Sequence, residues 1–115
     1  NDLLPANLID APGRLWLIDW DYGGFNTPLF DLASVASNCI FSDELSVQLL
    51  EAYYETSVTA ELWRRFQAMI CASLLRETLW SMVSEISSKI DFDYRAYTAE
   101  YRARFDAAFA NFIML

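Results

Sequence analysis

Three oxygen-bearing side chains near the start of the 115-residue chain are of the types used in phosphoryl chemistry. Asp2 and Asn7 stand five positions apart, and Asp19 follows a short apolar segment. Mg²⁺ prefers oxygen ligands with carboxylate charge. In phosphoryl transfer, Mg²⁺ bridges the phosphates of a nucleotide while a further carboxylate orients the attacking hydroxyl. Taken singly, however, an Asp or Asn beside a turn is more often only a turn former.

The composition narrows the chemistry that is open to this chain. It contains no His, and its 8 Lys and Arg against 16 Asp and Glu give a formal net charge of -8. Carboxylates must therefore carry any acid–base step. The charge argues against a nucleic-acid partner, because phosphate binding needs clustered cations. An acidic field instead favours cationic small molecules or metal ions.

A predicted β-hairpin positions the three polar side chains. Every Gly and Pro lies between Pro5 and Pro28, so turns are predicted in the first quarter of the chain. Residues 8–10 and 14–18 have the composition of short strands, and Pro12 and Gly13 suit the centre of a tight turn. The hairpin would end at Asp19, where the chain enters a loop.

Four helices are predicted after the loop. They cover residues 30–41, a segment that begins after the capping residue Ser42, residues 59–88 and residues 93–112. One face of the third helix collects Phe66, Ile70, Ser73, Glu77, Trp80 and Ser84. The fourth helix should bury an aromatic stripe formed by Tyr94, Tyr97, Tyr101, Phe105, Ala108 and Phe112.

The order of the motifs is similar to that of a known family. D-x-x-x-x-N, a strand pair, I-D-W-D-Y-G-G and P-L-F-D-L-A resemble the catalytic half of choline and ethanolamine kinases, within the aminoglycoside-phosphotransferase and protein-kinase-like superfamily. The resemblance implies that Asp2 is the catalytic carboxylate, which accepts the proton of the substrate hydroxyl. It also implies that Asn7 and Asp19 bind Mg²⁺, and with it ATP, and that Asp31 holds the catalytic loop by accepting backbone N–H bonds.

The resemblance also predicts the fold and its extent. It implies an α+β, mostly helical fold, the C-terminal lobe of a protein-kinase-like enzyme with a small hairpin near its N-terminus. Residues 1–28 would form the catalytic loop, hairpin and metal-binding loop, and residues 29–115 the helical substrate-binding part. The family's nucleotide-covering loop and phosphate-gripping lysine have no counterpart here. We therefore expect a C-terminal portion that is inactive by itself.

The later motifs resemble choline kinases in particular. Residues 79–83 and 86–94 look like the tail of these enzymes, and the resemblance places Trp80, Phe92 and Tyr97 around the trimethylammonium group of choline. A quaternary ammonium has no N–H to donate and is well held by aromatic faces. Without the resemblance, an aromatic stripe at helical spacing would be read as ordinary core.

Because of Glu77, the sequence does not decide which alcohol accepts the phosphoryl group. Eukaryotic choline kinases carry an aromatic residue where this chain has Glu77. A carboxylate there attracts any cation, but it also suits a primary amine that donates hydrogen bonds, so ethanolamine is an alternative. Equally, Glu77 could simply pair with Arg76 on the helix surface. Aminoglycoside, thiamine and homoserine kinases, and a non-catalytic interaction module with the same fold, are further alternatives.

The remaining expectations concern the setting of the chain. Cys39 and Cys71 lie in apolar segments and are predicted to be small buried residues rather than a disulfide. The sequence shows no signal peptide or membrane span, so a cytoplasmic location is expected. Hydrophobic residues make up 55% of the chain, and we expect it to self-associate when its apolar faces are uncovered.

Overall fold

The computed structural model describes all 115 residues as a β-hairpin followed by four helices. A 3-10 turn at Pro5–Asn7 precedes β1 (Leu8–Ala11) and β2 (Arg14–Leu17). The helices are α1 (Pro28–Asn38), α2 (Asp43–Tyr54), α3 (Ala60–Ser87) and α4 (Tyr94–Phe112). The predicted α+β, mostly helical architecture is therefore confirmed, while the 3-10 turn was not predicted.

The hairpin is closed by the turn that its sequence predicts. The strands pair in antiparallel register from Leu8 with Leu17 to Ala11 with Arg14. Gly13 has a φ of +74°, a backbone conformation that residues with a Cβ rarely adopt. At the open end, the N–H of Ile18 donates to the carbonyl of Asn7 at 3.0 Å. The ladder thus brings Asn7 to the place where the chain continues into Asp19.

Side-chain caps begin three of the helices. Ser42, Thr59 and Asp93 each accept a hydrogen bond from the backbone N–H three residues later, which satisfies one of the free donors of the first turn. The bounds of α3 and α4 agree with their predicted ranges to within one residue, whereas α1 differs by more, since it begins at Pro28 and ends at Asn38. Proline is favoured at the first helical position. Beyond the C-terminal end of α1, Ile40 adopts a φ of +54°, which cannot continue a helix.

The main core lies where α1 and α2 pack against the first half of α3. It consists of Leu29, Ala33 and Ala36 of α1, Leu50 of α2 and Phe66 of α3. Burying such side chains stabilises a fold by about 1.5–3 kcal/mol for each large one. The core therefore holds α3 as the central helix, against which the remaining elements are placed.

Polar contacts join α3 to α4. The hydroxyl of Ser81, which has no exposed surface, donates to the carbonyl of Tyr94 at 2.9 Å. The hydroxyl of Thr98 donates to the same Ser81 oxygen at 2.8 Å. The predicted faces of both helices are buried or half-buried, apart from Trp80. Small polar residues of α3 thus lie where α4 crosses it.

Much apolar surface stays uncovered. Only 18 of the 115 residues are buried, and the hairpin exposes Ile9, Leu15, Trp16 and Ile18. This distribution is in keeping with the expected self-association, which stays a prediction. None of the four helices combines the length and the hydrophobicity that a membrane span needs. Both cysteines are free thiols, Cys71 buried and Cys39 half-buried.

Candidate active site

A cavity of about 420 Å³ lies between the N-terminal loop (residues 1–4), the loop after β2, α3 and the start of α4. Polar side chains line one end, namely Asp2, Asp19, Arg76 and Glu77. Aromatic side chains line the other end, and we call Trp80, Phe92, Tyr94 and Tyr97 the aromatic cluster. Leu4, Tyr22 and Ile90 complete the wall. Most of the residues singled out from the sequence thus share one cavity.

Asp2 is held at the polar end by a charged partner. Its Oδ1 accepts a hydrogen bond from Nη1 of Arg76 at 2.8 Å. Its backbone carbonyl accepts a second one from Nδ2 of Asn7 at 3.2 Å. A carboxylate fixed by a guanidinium loses rotamer freedom, and such charge-assisted bonds are stronger than neutral ones. Asp2 therefore presents its carboxylate to the cavity in a fixed orientation.

Asn7 and Asp19 both lie near the open end of the hairpin, but only Asp19 lines the cavity. Asn7 is buried and uses its amide nitrogen on Asp2, which leaves its amide oxygen as the free acceptor. Asp19 lines the cavity from a left-handed backbone, with a φ of +60°. One amide oxygen and one carboxylate fit Mg²⁺, which usually binds one or two protein ligands and completes its shell with phosphates and water. No cluster of three or more Asp, Glu, His or Cys side chains that could hold a metal by itself is present.

Asp31 lies in the first turn of α1, beside the N-terminal loop. Its Oδ1 is 2.9 Å from the amino nitrogen of Asn1. Asp31 therefore holds the main-chain nitrogen of Asn1, the residue that precedes Asp2. The predicted role of Asp31 in holding this loop stays a prediction, since no other backbone donor bonds its carboxylate.

Glu77 is buried at the junction of the two ends, with 3% of its surface exposed. Its Oε1 accepts from Nη1 of Arg76 at 2.6 Å, and its Oε2 accepts from the hydroxyl of Tyr97 at 3.1 Å. The pairing with Arg76 that the sequence suggested is therefore present, but it faces the cavity rather than the helix surface. Burial raises the pKa of Glu77, while the charge of Arg76 and the bond from Tyr97 act in the opposite direction.

The aromatic cluster is packed edge to face. The ring of Trp80 is 6.1 Å from that of Tyr97 and 5.9 Å from that of Tyr94. Phe92 is 5.8 Å from Tyr97. Trp80 and Phe92 keep 42% and 50% of their surfaces exposed, which is too much for ordinary core residues. Their free faces are available to a ligand.

Five of the 11 residues that line the cavity were not predicted as site residues, and three of these five are charged or aromatic. Arg76 was considered only as a partner of Glu77, Tyr94 only as part of the aromatic stripe, and Tyr22 only as a letter of the loop motif. The contact between Arg76 and Asp2 spans 74 positions, a separation at which local sequence spacing carries no signal. The one indication in the sequence that Arg76 belongs to the site was its position next to Glu77, where eukaryotic choline kinases carry an aromatic residue.

The chain was compared with family models, with curated proteins and with solved structures, and the last two comparisons found similar proteins. No family model matches the chain. Two Haemophilus influenzae proteins called LicA are each 45% identical to it over 53 residues, which are 46% of this chain and 20% and 16% of theirs. The crystal structure of a choline/ethanolamine kinase family protein from Mesorhizobium loti matches with a TM-score of 0.84 and 29% identity, over 93% of this chain and 36% of that one.

The fold and the cavity together define a kinase-like lobe. Within that class, the comparisons confirm the resemblance to the choline/ethanolamine kinase family that the motifs indicate. The chain spans about a third of the solved structure and a fifth or less of the LicA proteins.

Proposed function

We propose that the chain is the acceptor-binding part of a Mg²⁺- and ATP-dependent phosphotransferase that transfers the γ-phosphoryl group to the hydroxyl of choline. The observation that carries this proposal is a single cavity with Asp2 at one end and the aromatic cluster at the other. Choline has the same two-ended character, a hydroxyl separated by a short spacer from a quaternary ammonium.

Each polar residue has a distinct part in the proposed reaction. Asp2 orients the acceptor hydroxyl and accepts its proton. Asn7 and Asp19 would hold Mg²⁺, which supplies charge to neutralise the phosphates of the nucleotide. Arg76 fixes the carboxylate of Asp2 through the bond at 2.8 Å. Catalysis then comes mainly from orientation and electrostatic stabilisation, as in other phosphoryl transfers.

The state of Glu77 favours choline over a primary amine. Both of its carboxylate oxygens already accept a hydrogen bond, one from Arg76 and one from Tyr97. The positive charge of Arg76 also offsets the charge of Glu77. A primary amine would therefore compete with two existing donors, whereas a quaternary ammonium needs only the aromatic faces. Ethanolamine remains the second candidate, because Glu77 does line the cavity.

The test is a Mg-ATP turnover assay on the complete protein that contains these residues, with choline, ethanolamine, an aminoglycoside, thiamine and homoserine as acceptors. We expect the highest kcat/KM with choline. A preference for ethanolamine would make Glu77 the specificity residue and overturn the choline assignment. Absence of turnover, together with absence of Mg²⁺-dependent nucleotide binding, would favour the non-catalytic module. The 115 residues alone are expected to be inactive.

Trp80 provides a test of the ammonium site. Replacing Trp80 with Ala removes a ring whose attraction for a desolvated cation is worth about 2 kcal/mol, so the KM for choline should rise about 10-fold to 30-fold. The KM for Mg-ATP should not change. The control is Trp16→Ala on the hairpin, where the ring lies against Arg14 and outside the cavity. An unchanged KM for choline in the Trp80 variant would contradict the proposed site.

A further inference from the structure

A single nitrogen of Arg76 joins the two carboxylates at the polar end of the cavity. Nη1 donates to Oδ1 of Asp2 at 2.8 Å and to Oε1 of Glu77 at 2.6 Å. The guanidinium carbon also lies 5.3 Å from the centre of the Tyr22 ring. Arg76 therefore contacts the N-terminal loop, its own helix and the loop after β2. No other side chain of the cavity makes charged contacts to both carboxylates.

Glu77 extends this connection to the aromatic cluster. Its second oxygen accepts from the hydroxyl of Tyr97, whose ring is 6.1 Å from Trp80 and 5.8 Å from Phe92. A continuous set of hydrogen bonds thus runs from Asp2 through Arg76 and Glu77 to Tyr97 of the aromatic cluster. Any shift of Tyr97 must be transmitted to Glu77 or break its bond.

A second set of contacts leads from Tyr97 back to the main chain of the N-terminal loop. Tyr97 stacks on Tyr101 at 4.3 Å, and the hydroxyl of Tyr101 donates to Oδ1 of Asn38 at 3.3 Å. Nδ2 of Asn38 donates to the carbonyl of Leu3 at 3.1 Å, one residue from Asp2. The main chain of the loop is therefore held from α1, and the Asp2 side chain is held by Arg76.

The positive charge of Arg76 is what allows the carboxylates of Asp2 and Glu77 to lie close together. The groups that face it are Asp2 from the N-terminal loop, Glu77 from α3 and Tyr22 from the loop after β2. Burial acts to lower the pKa of Arg76, but the bond and charge of Asp2 and the charge of Glu77 outweigh it and raise that pKa. Without the shared cation, the carboxylates of Asp2 and Glu77 would repel each other.

We propose that Arg76 is a positioning residue that couples the carboxylate of Asp2 to the ammonium site, so that an acceptor bound against the aromatic cluster meets Asp2 at the correct distance. This inference rests on the proposed function, since it concerns the same acceptor site. Arg76 does not itself touch the reacting atoms. Its effect is on the placement of Asp2, and a misplacement of about 1 Å can cost about 100-fold in rate.

The test compares Arg76→Met with Arg76→Lys in the complete protein. Methionine keeps an apolar stem without a charge or a donor. Lysine keeps the charge, and its three donors on one nitrogen can replace the two bonds that come from the single Nη1. We expect kcat to fall about 10-fold to 100-fold in Arg76→Met and to recover largely in Arg76→Lys. The KM for Mg-ATP should stay within about 2-fold in both, as expected for a loss confined to acceptor placement.

The control is Arg102→Met, because Arg102 pairs with Asp106 on the exposed side of α4 and does not line the cavity. Melting temperatures separate an effect on placement from an effect on folding. Should Arg76→Met not fold, Arg76→Gln takes its place with the same expected loss of kcat. A kcat within about 2-fold of the parent in the uncharged variant, or no recovery with lysine, would overturn the inference. An inactive parent with every acceptor would instead overturn the proposed function, and the inference with it.

Discussion

Replacing Asp2 with Asn in the complete protein is expected to lower kcat by about 10²-fold to 10⁴-fold, the usual contribution of a positioned acid–base group. In the parent protein, Nη1 of Arg76 donates to Oδ1 of Asp2 at 2.8 Å. The side-chain oxygen of asparagine can still accept this bond, so the variant should keep the fold. What is lost is the charge that orients the hydroxyl and accepts its proton. The measurement is kcat with saturating choline and Mg-ATP, together with the melting temperature.

Asp10→Asn is the matched control for this variant. Asp10 is also an aspartate near the N-terminus, but it is exposed on β1, opposite Leu15 of β2. Its replacement should leave kcat unchanged. If Asp2→Asn retained nearly full turnover, the assignment of Asp2 as the catalytic carboxylate would be wrong.

The second large effect is expected at Asp19. Asp19→Asn should lower turnover by about 100-fold or more, because a bound metal ion supplies several kcal/mol of charge stabilisation. Asparagine tolerates the left-handed backbone at this position, where φ is +60°, so the change removes charge without adding strain. The concentration of Mg²⁺ needed for half-maximal turnover should also rise, and added Mg²⁺ should restore part of the activity.

Asp21→Asn separates this effect from a general loss of acidic charge. Asp21 is two residues away and exposed, and it does not line the cavity. We expect its replacement to leave the Mg²⁺ requirement unchanged. A Mg²⁺ requirement that is the same in the Asp19 variant as in the parent would rule out Asp19 as a ligand.

The elements that the sequence predicted are those with local causes. The hairpin follows from Pro12 and Gly13, and the helix starts follow from Ser42, Thr59 and Asp93, each of which acts on a backbone group three residues away. Such contacts are encoded by neighbouring residues. The 3-10 turn before β1 is also local, but Pro5 with Asn7 two positions later does not distinguish it from an irregular loop.

The candidate site was predicted from motifs, whereas its internal contacts were not predictable. The resemblance selected Asp2, Glu77 and Tyr97, and the structure brings all three into one cavity. That Arg76 would also reach Asp2 could not be foreseen, because this contact depends on how α3 packs against α1 and on which way the side chain turns. Spacing along one helix says which residues share a face, but not what that face meets.

The bond between Ser81 and the carbonyl of Tyr94 has a consequence for the proposed acceptor site. Ser81 follows Trp80, and Thr98, which donates to the same oxygen, follows Tyr97. If α4 slipped along α3, the buried Ser81 hydroxyl would lose its partner, which costs about 1–3 kcal/mol. The two helices therefore have one preferred register. The separation of Trp80 and Tyr97 is thus set by the protein itself, so a cation bound there as proposed would spend less of its binding free energy on ordering the rings.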